Sequence, residues 1–194
     1  AEAGECDEFT KPDDQIWLAY TGSLNRNYDF LTILHAVARL GDRLGDHVRF
    51  FLTSRGELAD EAARIVRENH LQSVSLTGFL PFEQWAYLLS QCDAGFNASF
   101  PEAMIFLPNK IFYYFAAGTA VLNTIPGQCS RIVRDAGCGL DYEAGNVQRC
   151  ADAILRVVED EPGRERMRQE SRHLAETVYD RAILFPKYAE LIEQ

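Results

Sequence analysis

Six short apolar runs, each followed by an amphipathic stretch, constrain this chain more than any other feature of its sequence. The runs are IWLAYTG (16–22), VRFFLTS (48–54), SVSLTGF (73–79), DAGFNAS (93–99), AVLN (120–123) and CGLDY (138–142). Apolar residues at helical spacing fill 28–40, 57–70, 81–91, 109–117 and the shorter SRIVRDAG. Three further helices are expected at roughly 146–159, 163–178 and 181–193. Strands this short and this apolar are buried on both sides, and helices between them make them parallel. Pro81 stands where a first helical turn tolerates it, and Gly118 where a helix ends.

The expected fold class is therefore α/β: a Rossmann-like, doubly wound parallel sheet of about six strands with helices on both faces. Residues 1–15 (AEAGECDEFTKPDDQ) are acidic and lack an apolar centre, so they read as a leader or interdomain linker. A single domain over 16–194 follows, with no linker, repeat or low-complexity segment inside it.

With 29 acidic against 19 basic residues the net charge is −10, which argues against a nucleic-acid partner. No run approaches the length of a membrane span. Cys6, Cys92, Cys129, Cys138 and Cys150 are odd in number, scattered and free of CxxC spacing, so neither a zinc site nor a disulfide framework is expected. Reduced thiols and a cytoplasmic location are the plain reading. His35, His47, His70 and His173 read as surface or packing residues, and Trp17, Trp85 and the aromatics of 113–115 as core.

In doubly wound sheets, ligands bind at the carboxyl ends of the strands, near the switch in strand order. After the first run come Gly22, Ser23 and Arg26: a turn whose backbone N–H groups suit an anion, or a polar turn with a solvated arginine. GxGxxG is absent, so a dinucleotide fingerprint is not present. After the second, Ser54 reads as a helix cap, and Arg55 is either solvated or aimed at the same edge. After the third, Gly78-Phe79-Leu80-Pro81 forms a bend whose backbone could meet a base edge. After the fourth, SFPEAMIFLP is apolar for a connection and carries one carboxylate, Glu102. Asn109 and Lys110 then open a helix, where a lysine opposes the macrodipole unless an anion sits close by. A phosphate fits that position.

In this order the residues resemble a known family. Tyr20-Thr21-Gly22-Ser23-Leu24 with Tyr28-Asp29, Val74 to Pro81, Cys92-Asp93-Ala94-Gly95, and Pro108-Asn109-Lys110-Ile111-Phe112 followed by Ala116 to Val121 are similar to motifs of the C-terminal, nucleotide-sugar-binding half of GT-B-fold retaining glycosyltransferases, group 1 type. Gly139 and Arg166-Met167 also fit, and the resemblance runs from Trp17 to Tyr188. It implies transfer of a sugar, hexosyltransferase-like, from a nucleotide diphosphate sugar with retention and without a metal or other cofactor. Polysaccharide or glycolipid biosynthesis is the implied setting. It also implies an N-terminal acceptor-binding domain of the same protein, absent from this chain and needed for turnover, toward which the last helix with Tyr179, Phe185 and Tyr188 crosses back. Membrane association would come only through the missing parts.

Carried over residue by residue, the resemblance assigns Lys110 and Arg26 to charge stabilisation on the leaving diphosphate. It places Gly22, Ser23, Arg55 and Asn109 around the donor, Phe79 at the base, Glu102 at sugar hydroxyls and Tyr113 at the ribose. The chain departs from the pattern at three positions. Ser23 and Tyr28 stand where many members carry a basic pair, and Tyr113 stands where many carry a ribose-binding carboxylate. These departures leave a second class open: a GT-B-like domain that binds or scaffolds without transfer. Response-regulator-like and flavodoxin-like modules are disfavoured, since the first strand carries no acidic cluster or flavin-type loop.

Overall fold

The structure, a computed structural model, describes residues 9–192. Its strands are β1 (Ile16–Thr21), β2 (Val48–Thr53), β3 (Val74–Leu76), β4 (Ala94–Asn97), β5 (Ala120–Asn123) and β6 (Gly139–Asp141). All pair in parallel, in the order β3-β2-β1-β4-β5-β6. The order reverses between β1 and β4, and this is the switch point of a doubly wound sheet.

Alternation along the strands divides the core. Leu18 and Tyr20 of β1 and Phe50 and Leu52 of β2 face α1 (Phe30–Leu40), α2 (Ala59–Glu68) and α6 (Val147–Glu159), where they pack with Ile33, Ile65 and Ile154. Trp17, Ala19 and Phe51 face the other way, onto α3 (Phe82–Gln91), α4 (Lys110–Ala117) and α5 (Gln128–Ala136), with Leu88, Ile111, Phe115 and Val133. Two helices complete the chain, α7 (Glu161–Thr177) and α8 (Arg181–Ile192). Gly118 caps α4 in the left-handed conformation, as expected of a glycine there.

Some boundaries differ from the sequence expectation. The segment read as a leader or interdomain linker up to residue 15 packs onto the domain from Phe9, which is buried beside Phe51. Lys11 lies 2.6 Å from the buried Asp93 carboxylate, which also accepts from Trp17 N and lies 3.5 Å from Arg168 of α7. Asp93 thus ties the start of the domain to one of its last helices. Ser54 does not cap α2, because the loop 54–58 is held instead by Leu24, whose N–H donates to Arg55 O and whose carbonyl accepts from Leu58 N. Tyr179 packs on Phe112 and Phe115 while Phe185 is exposed. Cys6 and the Tyr188 side chain lie outside what is described.

Candidate functional site

A cavity of about 510 Å³ opens at the carboxyl ends of β1 and β2, on the face that carries α3 and α4. Thr21, Gly22, Ser23, Thr53, Ser54 and Arg55 line it from the strand ends. Phe79, Leu80, Phe82 and Trp85 come from the β3–α3 turn and α3, and Lys110 and Tyr113 from α4. A volume of this size is that of a small-ligand site.

Helix α4 divides its labour by spacing. Ile111, Tyr114 and Phe115 are buried against the sheet, and Lys110 and Tyr113, three residues apart, share the face that meets the cavity. Tyr114 has a structural role: its hydroxyl accepts from Thr21 N at 3.2 Å and donates to Phe96 O at 3.1 Å, joining β1 to β4 where they part. Its ring occupies the space above Gly95, where a Cβ would come within 2.4 Å.

Lys110 crosses the end of β1. Its ammonium lies 4.6 Å from the Tyr20 ring centroid and 4.4 Å from that of Tyr28. Gly22, at φ 136, makes the crossing possible, since a Cβ there would stand 2.7 Å from Lys110 Nζ. The ammonium is buried and has no hydrogen-bond partner among the described residues. Burial pushes its pKa down to about 7, because the charged form loses its water and gains no carboxylate in return. The two tyrosine faces return part of that cost, about 0.5–2 kcal/mol for such contacts. Burial holds the Tyr20 phenol above its usual range, so that ring stays neutral.

The opposite wall is aromatic. Phe82 and Trp85 lie 5.7 Å apart, Trp85 meets Tyr113 edge-on at 5.0 Å, and the Arg55 guanidinium lies 5.5 Å over the Phe79 ring. Among the described residues no carboxylate lines the cavity. Lys110 and Arg55 thus face a space that offers them no counter-charge, and the flat rings beside them suit a planar group. An anion carrying an aromatic ring is the complement of this arrangement.

Of the residues singled out from the sequence, Gly22, Ser23, Arg55, Phe79, Lys110 and Tyr113 meet in this cavity, and Arg26, Glu102 and Asn109 do not line it. The Arg26 side chain is 85% exposed and 4.0 Å from Glu57, so it does not join Lys110 at a shared anion. Glu102 is exposed on a 3-10 turn at 101–103, and Asn109 is exposed at the start of α4 without a side-chain capping bond. Phe79 contributes its ring, where its backbone was expected. Thr21, Thr53, Phe82 and Trp85 were not anticipated; hydroxyl residues closing apolar strands, and aromatics three apart on α3, were the available signals. The four described cysteines are buried and unbonded, and all four histidines are exposed. Among the described residues no group of three His, Cys, Asp or Glu is placed to hold a metal ion, and no helix is long and apolar enough to cross a membrane.

A family model described as Glycosyl transferases group 1 matches residues 15–160. No curated protein sequence matches the chain. Among solved structures, it is similar to WaaG, a glycosyltransferase involved in lipopolysaccharide biosynthesis, with a TM-score of 0.73 at 18% identity over 86% of this chain and 44% of that one. Anabaena Alr3699/HepE in complex with UDP-glucose gives 0.77 at 17% identity, over 93% and 49%. The pneumococcal O-GlcNAc transferase GtfA in complex with UDP and GlcNAc gives 0.75 at 17%, over 97% and 37%. The chain spans less than half the length of each of these proteins.

Proposed function

Since the chain belongs to the group 1 glycosyl transferases, we propose that it is the donor-binding half of a GT-B enzyme, holding a nucleotide diphosphate sugar in the cavity at the ends of β1 and β2. One observation carries this reading: the Lys110 ammonium is buried in that cavity without any partner. A fold keeps a buried cation unpaired only at a cost, and a bound diphosphate removes that cost. HepE was solved with UDP-glucose and GtfA with UDP and GlcNAc, which makes UDP the first nucleotide to test.

In this reading Lys110 meets the diphosphate and stabilises the negative charge that grows on it as the glycosidic bond breaks, a role a metal fills elsewhere. Arg55 adds a second cation, and Phe79, Phe82 and Trp85 stack on the base. Tyr113 faces the ribose. Transfer proceeds with retention, and the acceptor binds on an N-terminal half of the same protein. The present chain therefore binds donor but does not turn it over alone.

The test is calorimetric titration of the chain with UDP, GDP and ADP, repeated on Lys110→Ala. One nucleotide binds, and the substitution weakens it at least about tenfold, the loss of one charge-assisted contact. A folded sample that binds none of the three overturns the reading in favour of a domain without a donor site.

A further inference from the structure

Lys110 Nζ is not the only orphan in this cavity. Thr53 Oγ1 is also buried without a hydrogen-bond partner, and Thr53 also lines the cavity. Thr53 closes β2 and stands directly across from Thr21 of β1. Alternation along β2 puts it on the face of Phe51, the face that carries α3 and α4. The two neighbouring threonines differ in what they do. Thr21 is engaged by the fold, with its N–H and its hydroxyl both 3.2 Å from the Tyr114 hydroxyl. Thr53 has no such partner.

A buried hydroxyl left unpaired costs about 1–3 kcal/mol, and a valine of the same shape would remove the cost at a strand position that favours it. Among the described residues nothing pairs with the Thr53 hydroxyl. We propose that Thr53 is a second binding donor of the cavity, giving its hydroxyl hydrogen bond to an oxygen of the same diphosphate that Lys110 neutralises. This rests on the proposed function.

Depth in the cavity favours phosphate over nucleoside as the partner. Thr53 is 7% exposed, whereas Phe79 and Phe82 are 67% and 66% exposed. The floor carries the polar donors and the rim carries the flat rings. A nucleotide seats with its acceptor-only phosphates down and its base against the rim. Thr53 then acts as a positioning donor for the leaving group, sharing with Lys110 the oxygens on which charge accumulates.

The experiment titrates the 194-residue chain with inorganic pyrophosphate and with UDP, for the wild type, Thr53→Val and Thr53→Ser, and records thermal melts of each. Thr53→Val weakens both ligands about ten- to hundredfold, the value of one hydrogen bond to a charged group. Its melting temperature is unchanged or raised, because the orphan hydroxyl is gone, and Thr53→Ser restores affinity. Unchanged affinity in Thr53→Val overturns the proposal while leaving the donor site standing. Loss confined to UDP overturns it too, because the hydroxyl then serves the nucleoside. A fall in melting temperature that tracks the affinity loss reduces Thr53 to a structural residue. A folded wild type that binds neither ligand overturns the proposed function itself, and this inference with it.

Discussion

The strand ends on the two sides of the switch point are built from similar residues and treated in opposite ways. At β4, β5 and β6 the polar side chains close on one another. Asn97 donates to Asn123 at 2.8 Å, Asn123 donates to Asp141 at 2.7 Å, and Thr124 and Ser99 exchange two bonds of 2.8 Å each. Among the described residues, Asn97 Oδ1 and the hydroxyl of Tyr142, just past β6, are left over there. At β1 and β2 a buried ammonium and a buried hydroxyl remain unpaired around an open cavity. The first side uses its polarity to hold three short strands in register, and the second keeps its polarity for something the fold does not contain. Local rules that a fold obeys elsewhere are broken where a ligand completes them.

The sharpest way to break this comparison is at Asn123. It accepts from Asn97 and from Ile125 N, and donates to Ile125 O and Asp141, so no single side chain on that side does more. Asn123→Ala leaves the buried Asn97 amide and the Ile125 N–H and carbonyl without those partners and costs about 3 kcal/mol, a drop of roughly 6–12 °C in melting temperature for a domain of this size. Nucleotide affinity of the folded fraction stays within about threefold. An affinity loss larger than that would mean that the closed half belongs to the site.

Lys110 supplies the middle-sized effect, with opposite signs for stability and binding. The unfolded lysine keeps its proton up to about 10.5, whereas the folded one, facing only the Tyr20 and Tyr28 rings and the Gly22 backbone, releases it near 7. Between those values the unfolded chain binds more protons, so wild-type stability rises with pH across that window. Below the lower value the cost of the buried charge is present in full. Lys110→Met is therefore more stable than wild type at pH 6 by about 2 kcal/mol, and the gap closes toward pH 10. Denaturant unfolding of both proteins from pH 6 to 10 measures it. A gap that does not change with pH would mean that the lysine carries no buried charge, and would remove the electrostatic argument for the anion.

Much of this is legible in the sequence. Six apolar runs located six strands, and their alternation with helices located the ligand edge. Gly22, Ser23, Arg55, Phe79 and Lys110 were found because each follows a strand or opens a helix at that edge, and Tyr113 through the family resemblance. What was missed has physical reasons. Thr53 sits inside a run read as strand, and only the folded chain shows that its hydroxyl has no partner among the described residues while that of Thr21 has one. Trp85 looks like a core aromatic, since spacing alone does not reveal which side of a helix stops at a cavity. The adjacent Tyr113 and Tyr114 make the point: one helical step separates a residue of the site from one buried against the sheet. Loops carry the least directional information. Arg26 and Glu102 follow the right strands yet point away from the cavity residues, toward Glu57 in one case and into solvent in the other.

Arg26 gives the smallest effect and tests how far adjacency in sequence predicts a site. An exposed pair at 4.0 Å with side chains 85% and 61% exposed holds neither partner in place. Its charge, three residues beyond Ser23 in the chain, is screened by water before it reaches an anion bound beneath Lys110. Arg26→Ala therefore changes UDP affinity less than about twofold and leaves the melting temperature where it was, in the same titrations that show a large effect for Lys110→Ala. A loss of tenfold or more would mean that the β1–α1 loop folds over the ligand on binding and brings Arg26 onto the diphosphate. The cavity would then be the open state of a site that closes, and the contrast between the two halves of the strand-end edge would include motion as well as unpaired polarity.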